Sequence, residues 1–191
     1  RTVGQAQFGQ EIFGQTLGII GLGNIGAAIA RRGFHGFNMN ILYHGRREKL
    51  ELAQPLNARF CELDELLEQS DFIVVAVDLN ANTQHLIDAE AFKKMQSHAV
   101  FVNISRGAVV DEQALIQALE QKQIFAAGLD VYEKEPLQDS ALFQLHNVVT
   151  LPHIGSATSV TRKKMSELAY QNLVKALEGG QPQYVVNPEF R

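Results

Sequence analysis

The chain has one cysteine, Cys61, so no disulfide can close within it, and that usage fits a reducing, cytoplasmic setting. It has no apolar run approaching the roughly 18 residues of a membrane span. The opening Arg1-Thr-Val-Gly-Gln-Ala-Gln7 contains no apolar signal region. There is no cationic excess: 17 Lys and Arg stand against 21 Asp and Glu, a net charge of −4. Broad attraction to nucleic acid or to an anionic membrane is therefore not expected. The six histidines share no metal-ligand spacing and a lone cysteine builds no zinc cluster, so no metal is expected. Internal repeats and low-complexity tracts are missing. So is an initiator methionine, and the expectation is a piece of a longer polypeptide. What is there is ordinary: 191 residues, 46% hydrophobic and 20% charged, the make-up of a globular protein with one substantial core.

Short apolar runs predict buried parallel strands at 17–21, 39–43, 58–61, 71–77, 99–105, 124–130 and 148–151. Helical patterns lie between most of them, at 24–34, 47–54, 63–69, 88–95 and 112–122. Asp111 is a plausible N-cap for the helix Glu112 to Lys122, which carries Leu115, Ile116 and Leu119 on one face. The alternation predicts an α/β fold, a doubly wound parallel sheet. A long helix is expected from 158 to 178, closed by Gly179-Gly180.

Gly21-Leu-Gly-Asn-Ile-Gly26 sits between the first strand and the first helix. Strand, glycine turn and helix in that order make a dinucleotide-binding fingerprint of the Rossmann type. Gly21 permits the tight turn, Gly23 lets the backbone approach a pyrophosphate, and Gly26 lets the helix pack close to the strand. The helix start then offers N–H groups and a positive dipole end to the phosphates. On this reading residues 1–15 are a linker or docking segment, 16–157 the dinucleotide-binding domain, and 158–191 a C-terminal helix and tail.

A domain that prefers NAD usually ends its second strand on Asp or Glu, which hydrogen-bonds the adenosine ribose. Here the second strand ends in His44-Gly45-Arg46-Arg47, with Glu48 next and read as the start of a helix. Two guanidiniums can grip a 2′-phosphate that a carboxylate would repel, so NADP(H) is the preferred cofactor, with NAD(H) as the other option. Arg46 and Arg47 are alternatively no more than a solvated helix start.

Three further segments lie just past strands, at the sheet edge where α/β proteins bind ligands. Arg106 follows Val100-Phe-Val-Asn-Ile-Ser105 and could hold a substrate carboxylate in bidentate fashion, or form a structural ion pair. Asp130, Glu133 and Glu135 crowd the segment 128–136, and Glu133 is the one expected to be merely solvated. His153 lies between the last strand and the last helix. A histidine titrates near ~6.5 and is the natural proton carrier at neutral pH, though a single histidine is more often structural. A neighbouring carboxylate would favour its charged form and fix its ring. His35, His44, His85, His98 and His146 read as surface or packing residues.

Four motifs together resemble the D-isomer-specific 2-hydroxyacid dehydrogenases: Gly-Leu-Gly-Asn-Ile-Gly at 21–26, Val-Asn-Ile-Ser-Arg-Gly at 102–107, Gly-Leu-Asp-Val-Tyr-Glu-Lys-Glu-Pro at 128–136 and Leu-Pro-His-Ile-Gly-Ser-Ala-Thr at 151–158. The resemblance covers nearly the whole chain. The stretch Phe37 to Arg47 carries a closer likeness to the glyoxylate/hydroxypyruvate reductases, which overlap with 2-ketogluconate reductases. The resemblance implies NADPH-dependent reduction of small 2-oxo acids to D-2-hydroxy acids. It casts Arg106 as the binder of the substrate's carboxylate and keto oxygen, His153 as general acid/base, and Glu135 as the partner of that histidine. It places cofactor contacts at Gly21, Gly23, Asn24, Ile25 and Gly26, at His44, Arg46 and Arg47, at Thr83, at Ile104 and Ser105, at Asp130 near the nicotinamide carboxamide, and at Gly155 and Ser156. It implies a homodimer.

Members of this family carry a second, substrate-binding domain built largely from residues that precede such a segment, so that domain is an expected partner missing here. Asp78-Leu-Asn-Ala-Asn-Thr83 departs from the Pro-containing turn more usual in the family. Two other functions remain open: a dinucleotide-sensing regulatory module of the corepressor kind, and a family dehydrogenase for phosphoglycerate or formate.

Overall fold

The computed structural model describes residues 9–187, so positions 1–8 of the expected linker, and 188–191 of the expected tail, lie outside the described residues. Two compact units divide the chain, Arg1–His153 and Ile154–Arg191.

In the first unit seven strands form one sheet: β1 (Thr16–Ile20), β2 (Asn40–His44), β3 (Arg59–Phe60), β4 (Phe72–Val75), β5 (Val100–Asn103), β6 (Ala126–Leu129) and β7 (Val148–Thr150). Their order is β3-β2-β1-β4-β5-β6-β7, and every neighbouring pair is parallel. This is the doubly wound α/β arrangement that the strand–helix alternation predicts.

Parallel strands need crossovers, and five of the six here carry a helix: α1 (Asn24–Phe37), α2 (Leu50–Ala53), α3 (Leu63–Gln69), α4 (Ala89–Lys94) and α5 (Glu112–Glu120). The connection from β6 to β7 has only a short 3-10 turn at Ala141–Gln144. Successive strand residues point to opposite faces, so two cores form. Ile19, Ile41, Tyr43 and Val74 pack with Ala27 and Ala30 of α1 on one face. Ile20, Leu42, Ile73, Val75 and Phe101 pack with Leu66, Phe92 and Leu115 of α3, α4 and α5 on the other. Asp88 and Asp111 cap α4 and α5, each accepting the N–H of the residue three positions on, at 2.9 and 3.0 Å.

The strands are shorter than the apolar runs. Residues 76–77 and 104–105 continue their runs but leave the ladder and form the loops at its C-terminal end. The second helix also starts later than its pattern predicts. The buried Tyr43 hydroxyl accepts the Lys49 N–H at 3.0 Å, which holds 45–49 as a loop, and the helix begins only at Leu50.

The second unit contains α6 (Ser159–Leu177). Thr158 caps it by accepting the Thr161 N–H at 3.1 Å, and Gly179 ends it in the left-handed region, φ 76°.

Candidate active site

With all strands parallel, their C-terminal ends finish on one side, and the loops there gather the residues that the sequence singles out. Gly21 leaves β1 with φ 101°, and a Cβ there would meet the Ala76 carbonyl oxygen at 2.7 Å. A Cβ on Gly26 would run into the Gly21 carbonyl oxygen, so α1 packs this close only with glycine. Gly23 is different: a Cβ there would meet nothing within 4 Å, so no protein atom dictates glycine. It lies just before the start of α1 with open space on that side. That helix start has no side-chain cap and no acid in its first turn, unlike α4 and α5. Asn24 and Ile25 are exposed there. An open glycine above an uncapped helix N-terminus fits a pyrophosphate.

At the end of β2, Arg46 and Arg47 are exposed on the 45–49 loop, ahead of the helix that begins at Leu50. Among the described residues no carboxylate pairs with either. His44 is turned toward β3: its Nδ1 lies 3.0 Å from the Cys61 carbonyl oxygen, and its ring stacks on Phe60. Thr83 is occupied in its own loop, donating to the Asp78 carbonyl at 2.6 Å and accepting the Asn80 N–H at 2.8 Å.

Beyond β5, β6 and β7 lie the residues that can move a proton. His153 Nδ1 is 2.7 Å from Glu135 Oε2. Glu135 Oε1 accepts the Tyr132 N–H at 3.2 Å. The bond from His153, the Tyr132 N–H and the charges of His153 and Arg106 together lower the Glu135 carboxyl below its usual range, against partial burial that would raise it. An ionised carboxylate only accepts, so Nδ1 carries a proton and Nε2 is the nitrogen available to a ligand. His153 has φ 54°, a conformation that costs a non-glycine residue energy and clusters at functional sites. Beside the pair is a cleft of about 450 Å³, lined by Tyr132, Leu137, Phe143, Leu151 and Pro152 among others.

Two buried residues that the sequence did not flag hold these loops. Tyr132 donates its hydroxyl to the Leu151 carbonyl at 2.8 Å, two residues before His153. Asn103, 1% exposed, bonds Ser105 and the Arg106 carbonyl. Arg106 is exposed, with Nη1 donating to the Ser105 carbonyl at 2.6 Å. A Cβ on Gly107 would overlap the Tyr132 backbone, so the Arg106 turn rests directly on the loop that leads to Glu135. Ile104 is half-buried and Ser105 buried in that turn, and the buried Asp130 follows β6 with its N–H bonded to the Asn103 carbonyl at 3.1 Å.

Glu133 is not merely solvated. It pairs with His85 at 3.0 Å and accepts the Glu112 N–H, while Glu112 accepts the Glu133 N–H, both at 3.2 Å. Burial, with the Glu133 charge nearby, pushes the Glu112 carboxyl up. Spacing of 21 residues between two glutamates gives no sequence signal of such a brace. Asn103 did leave one, a polar side chain closing an apolar strand. Gly155 and Ser156 belong to the second unit, where the Ser156 carbonyl accepts the Thr158 N–H at 3.0 Å. Among the described residues no group of three or more His, Cys, Asp or Glu could hold a metal, and no helix is long and apolar enough to cross a membrane.

Residues 2–155 match the family described as D-isomer specific 2-hydroxyacid dehydrogenase, NAD binding domain. Glyoxylate/hydroxypyruvate reductase B of Cronobacter sakazakii is 51% identical over 189 residues, 98% of this chain and 58% of that protein. The chain therefore spans a little over half the length of that relative. A glyoxylate reductase structure from Paecilomyes thermophila superposes with a TM-score of 0.88 at 42% identity, covering 98% of this chain and 56% of the other. D-lactate dehydrogenase with NAD+ from Lactobacillus jensenii has a TM-score of 0.88 at 28% identity, over 97% of this chain and 59% of its own.

One open glycine, Gly23, and one tightly packed glycine, Gly26, separate fold from ligand. Gly23→Ala is expected to leave urea stability within about 0.5 kcal/mol of wild type, since nothing is displaced, while weakening dinucleotide binding. Gly26→Ala is expected to lose on the order of 1–3 kcal/mol by overpacking. Equal stability losses in both variants would contradict this division.

Proposed function

The chain belongs to the D-isomer-specific 2-hydroxyacid dehydrogenases through their NAD-binding domain, and we propose that it is the coenzyme-binding part of an NADPH-dependent reductase of small 2-oxo acids such as glyoxylate and hydroxypyruvate. The observation that carries the reading is the His153–Glu135 pair, 2.7 Å apart on the same sheet edge as the glycine turn and the Arg46/Arg47 loop. The similarity to a glyoxylate/hydroxypyruvate reductase over 98% of this chain supports the substrate class. Because the chain spans 58% of that relative, the rest of a longer protein is proposed to supply the opposing wall of the cleft. The enzyme is proposed to work in the cytoplasm as a homodimer, and the single buried Cys61 accords with a reducing compartment.

The uncapped start of α1 and the open face of Gly23 would hold the pyrophosphate, and Arg46 and Arg47 the 2′-phosphate. When bound, the reduced nicotinamide supplies the hydride for the carbonyl carbon. Arg106 binds the substrate carboxylate and stabilises the negative charge that develops on the keto oxygen. His153 delivers a proton from Nε2 to that oxygen, because Nδ1 is engaged by Glu135. Glu135 favours the charged ring and keeps its orientation. In the reverse direction neutral His153 accepts the proton at the same nitrogen.

The cofactor choice is tested by dissociation constants. Arg46→Ala is expected to weaken NADPH binding by roughly 10–150-fold, the equivalent of ~1.5–3 kcal/mol for a charge-assisted contact. NADH binding should change little. Wild type that binds NADH as tightly as NADPH would refute the preference.

The proton path is tested by rate. In the longer enzyme His153→Ala is expected to lower turnover on the order of 10²–10⁴-fold with little effect on NADPH affinity. Glu135→Gln replaces the charged acceptor at Nδ1 that orients the ring, so turnover should fall while NADPH affinity holds. Undiminished turnover in His153→Ala takes this histidine out of the mechanism.

The division of labour is tested with the 191-residue chain by itself. Calorimetry should detect NADPH binding, whereas glyoxylate and hydroxypyruvate should scarcely turn over, because water reaches the site and the substrate is not held. Turnover matching the longer enzyme would show that this chain suffices.

A further inference from the structure

Arg106 is exposed, and a long flexible side chain in water presents its charge poorly unless its backbone is fixed. The fixing group is one amide. Asn103 ends β5 with 1% of its surface exposed. Its Oδ1 accepts two hydrogen bonds from Ser105, the N–H at 3.0 Å and the hydroxyl at 2.9 Å. Its Nδ2 donates to the Arg106 carbonyl at 3.1 Å. Both flanks of Arg106 are thereby held, and the arginine sits extended between them at φ −140°, ψ 145°. The Asn103 backbone carbonyl meanwhile accepts the Asp130 N–H at 3.1 Å, which ties the same residue to the end of β6.

The chemistry of the position is narrow. It requires two acceptances and one donation from a short side chain in a site closed to water. Aspartate accepts but cannot donate, and alanine does neither, leaving the Ser105 N–H and Arg106 carbonyl short of partners. Serine has one oxygen for three contacts. Glutamine places its amide one methylene too far for the same turn.

We propose that Asn103 is a positioning residue, acting through Arg106 to present the guanidinium to the substrate's carboxylate. This rests on the role given to Arg106 above. The bond from Arg106 Nη1 to the Ser105 carbonyl belongs to the same device, because Ser105 is the residue that Asn103 holds most tightly.

Two measurements test it. In this chain, ¹⁵N relaxation of the Arg106 Nε–H group is compared among wild type, Asn103→Ala and Asn103→Asp, with Arg59 as a distant control. The aspartate is isosteric and, ionised, sets a negative charge against the Arg106 carbonyl in place of the donor, so it breaks the same contact where the alanine variant does not fold. The order parameter of Arg106 should fall in the variants while that of Arg59 holds. An unchanged Arg106 overturns the proposal. In the longer enzyme, KM for glyoxylate should rise about 10–100-fold, as for a misplaced binding group. In an Arg106→Ala background the Asn103 substitution should cost nothing more. Losses that add in the double variant would mean a general structural role and also overturn it. Wild-type enzyme inert toward 2-oxo acids would sink the proposed function instead, and the relaxation result would still decide the case of Asn103.

Discussion

Seven parallel strands end on one side of this sheet, and at each end the backbone must find new hydrogen-bond partners as it leaves the ladder. The rest of the architecture follows from how that requirement is met. Beyond β2 the Tyr43 hydroxyl accepts the Lys49 N–H. Beyond β4 the Thr83 hydroxyl closes the 78–83 loop. Beyond β5 the Asn103 amide holds Ser105 and Arg106, and beyond β6 the Tyr132 hydroxyl reaches across to the Leu151 carbonyl. Each of these loops is pinned by a side chain, from the strand itself beyond β2 and β5 and from within the loop beyond β4 and β6. The loop beyond β1 is the exception: a glycine turn leads into a helix with no side-chain cap. An uncapped helix start suits an anion, and a protein cap would compete with one.

The His153–Glu135 pair shows the same economy. Glu135 receives one hydrogen bond from the backbone of its own loop and another from the histidine it orients. Its ionised form is therefore favoured by groups already fixed by the fold. Tyr132 joins the two halves, since its N–H reaches Glu135 and its hydroxyl reaches the segment that ends at His153. Burial raises the tyrosine's own pKa, so its hydroxyl remains a donor.

The strand–helix alternation, the glycine turn and the placing of Arg106, Glu135 and His153 at strand ends were all legible, because hydrophobic period and turn chemistry are local signals. α3 falls on 63–69 as its pattern predicts. Strand ends were overdrawn at 76–77 and 104–105, where apolar residues continue after the ladder stops, since period alone cannot tell a strand from a buried loop. The start of α2 was misplaced because a tertiary bond from Tyr43 overrides local propensity. Glu133 was misjudged for a similar reason. Its partners are His85 and Glu112, and nothing in a linear reading brings those three together.

Gly107 lies against the backbone of Tyr132 with no room for a single added carbon. Two loops in van der Waals register through main chain alone cannot lengthen or shorten independently. An insertion at 105–107 would have to be matched by one at 131–134, and chance seldom supplies both. Diversity in the substrates that such a scaffold handles must then come from side chains that project outward, or from other parts of a longer protein, while the loop lengths stay fixed. For anyone redesigning this scaffold, these two turns are the frame, and variation belongs elsewhere.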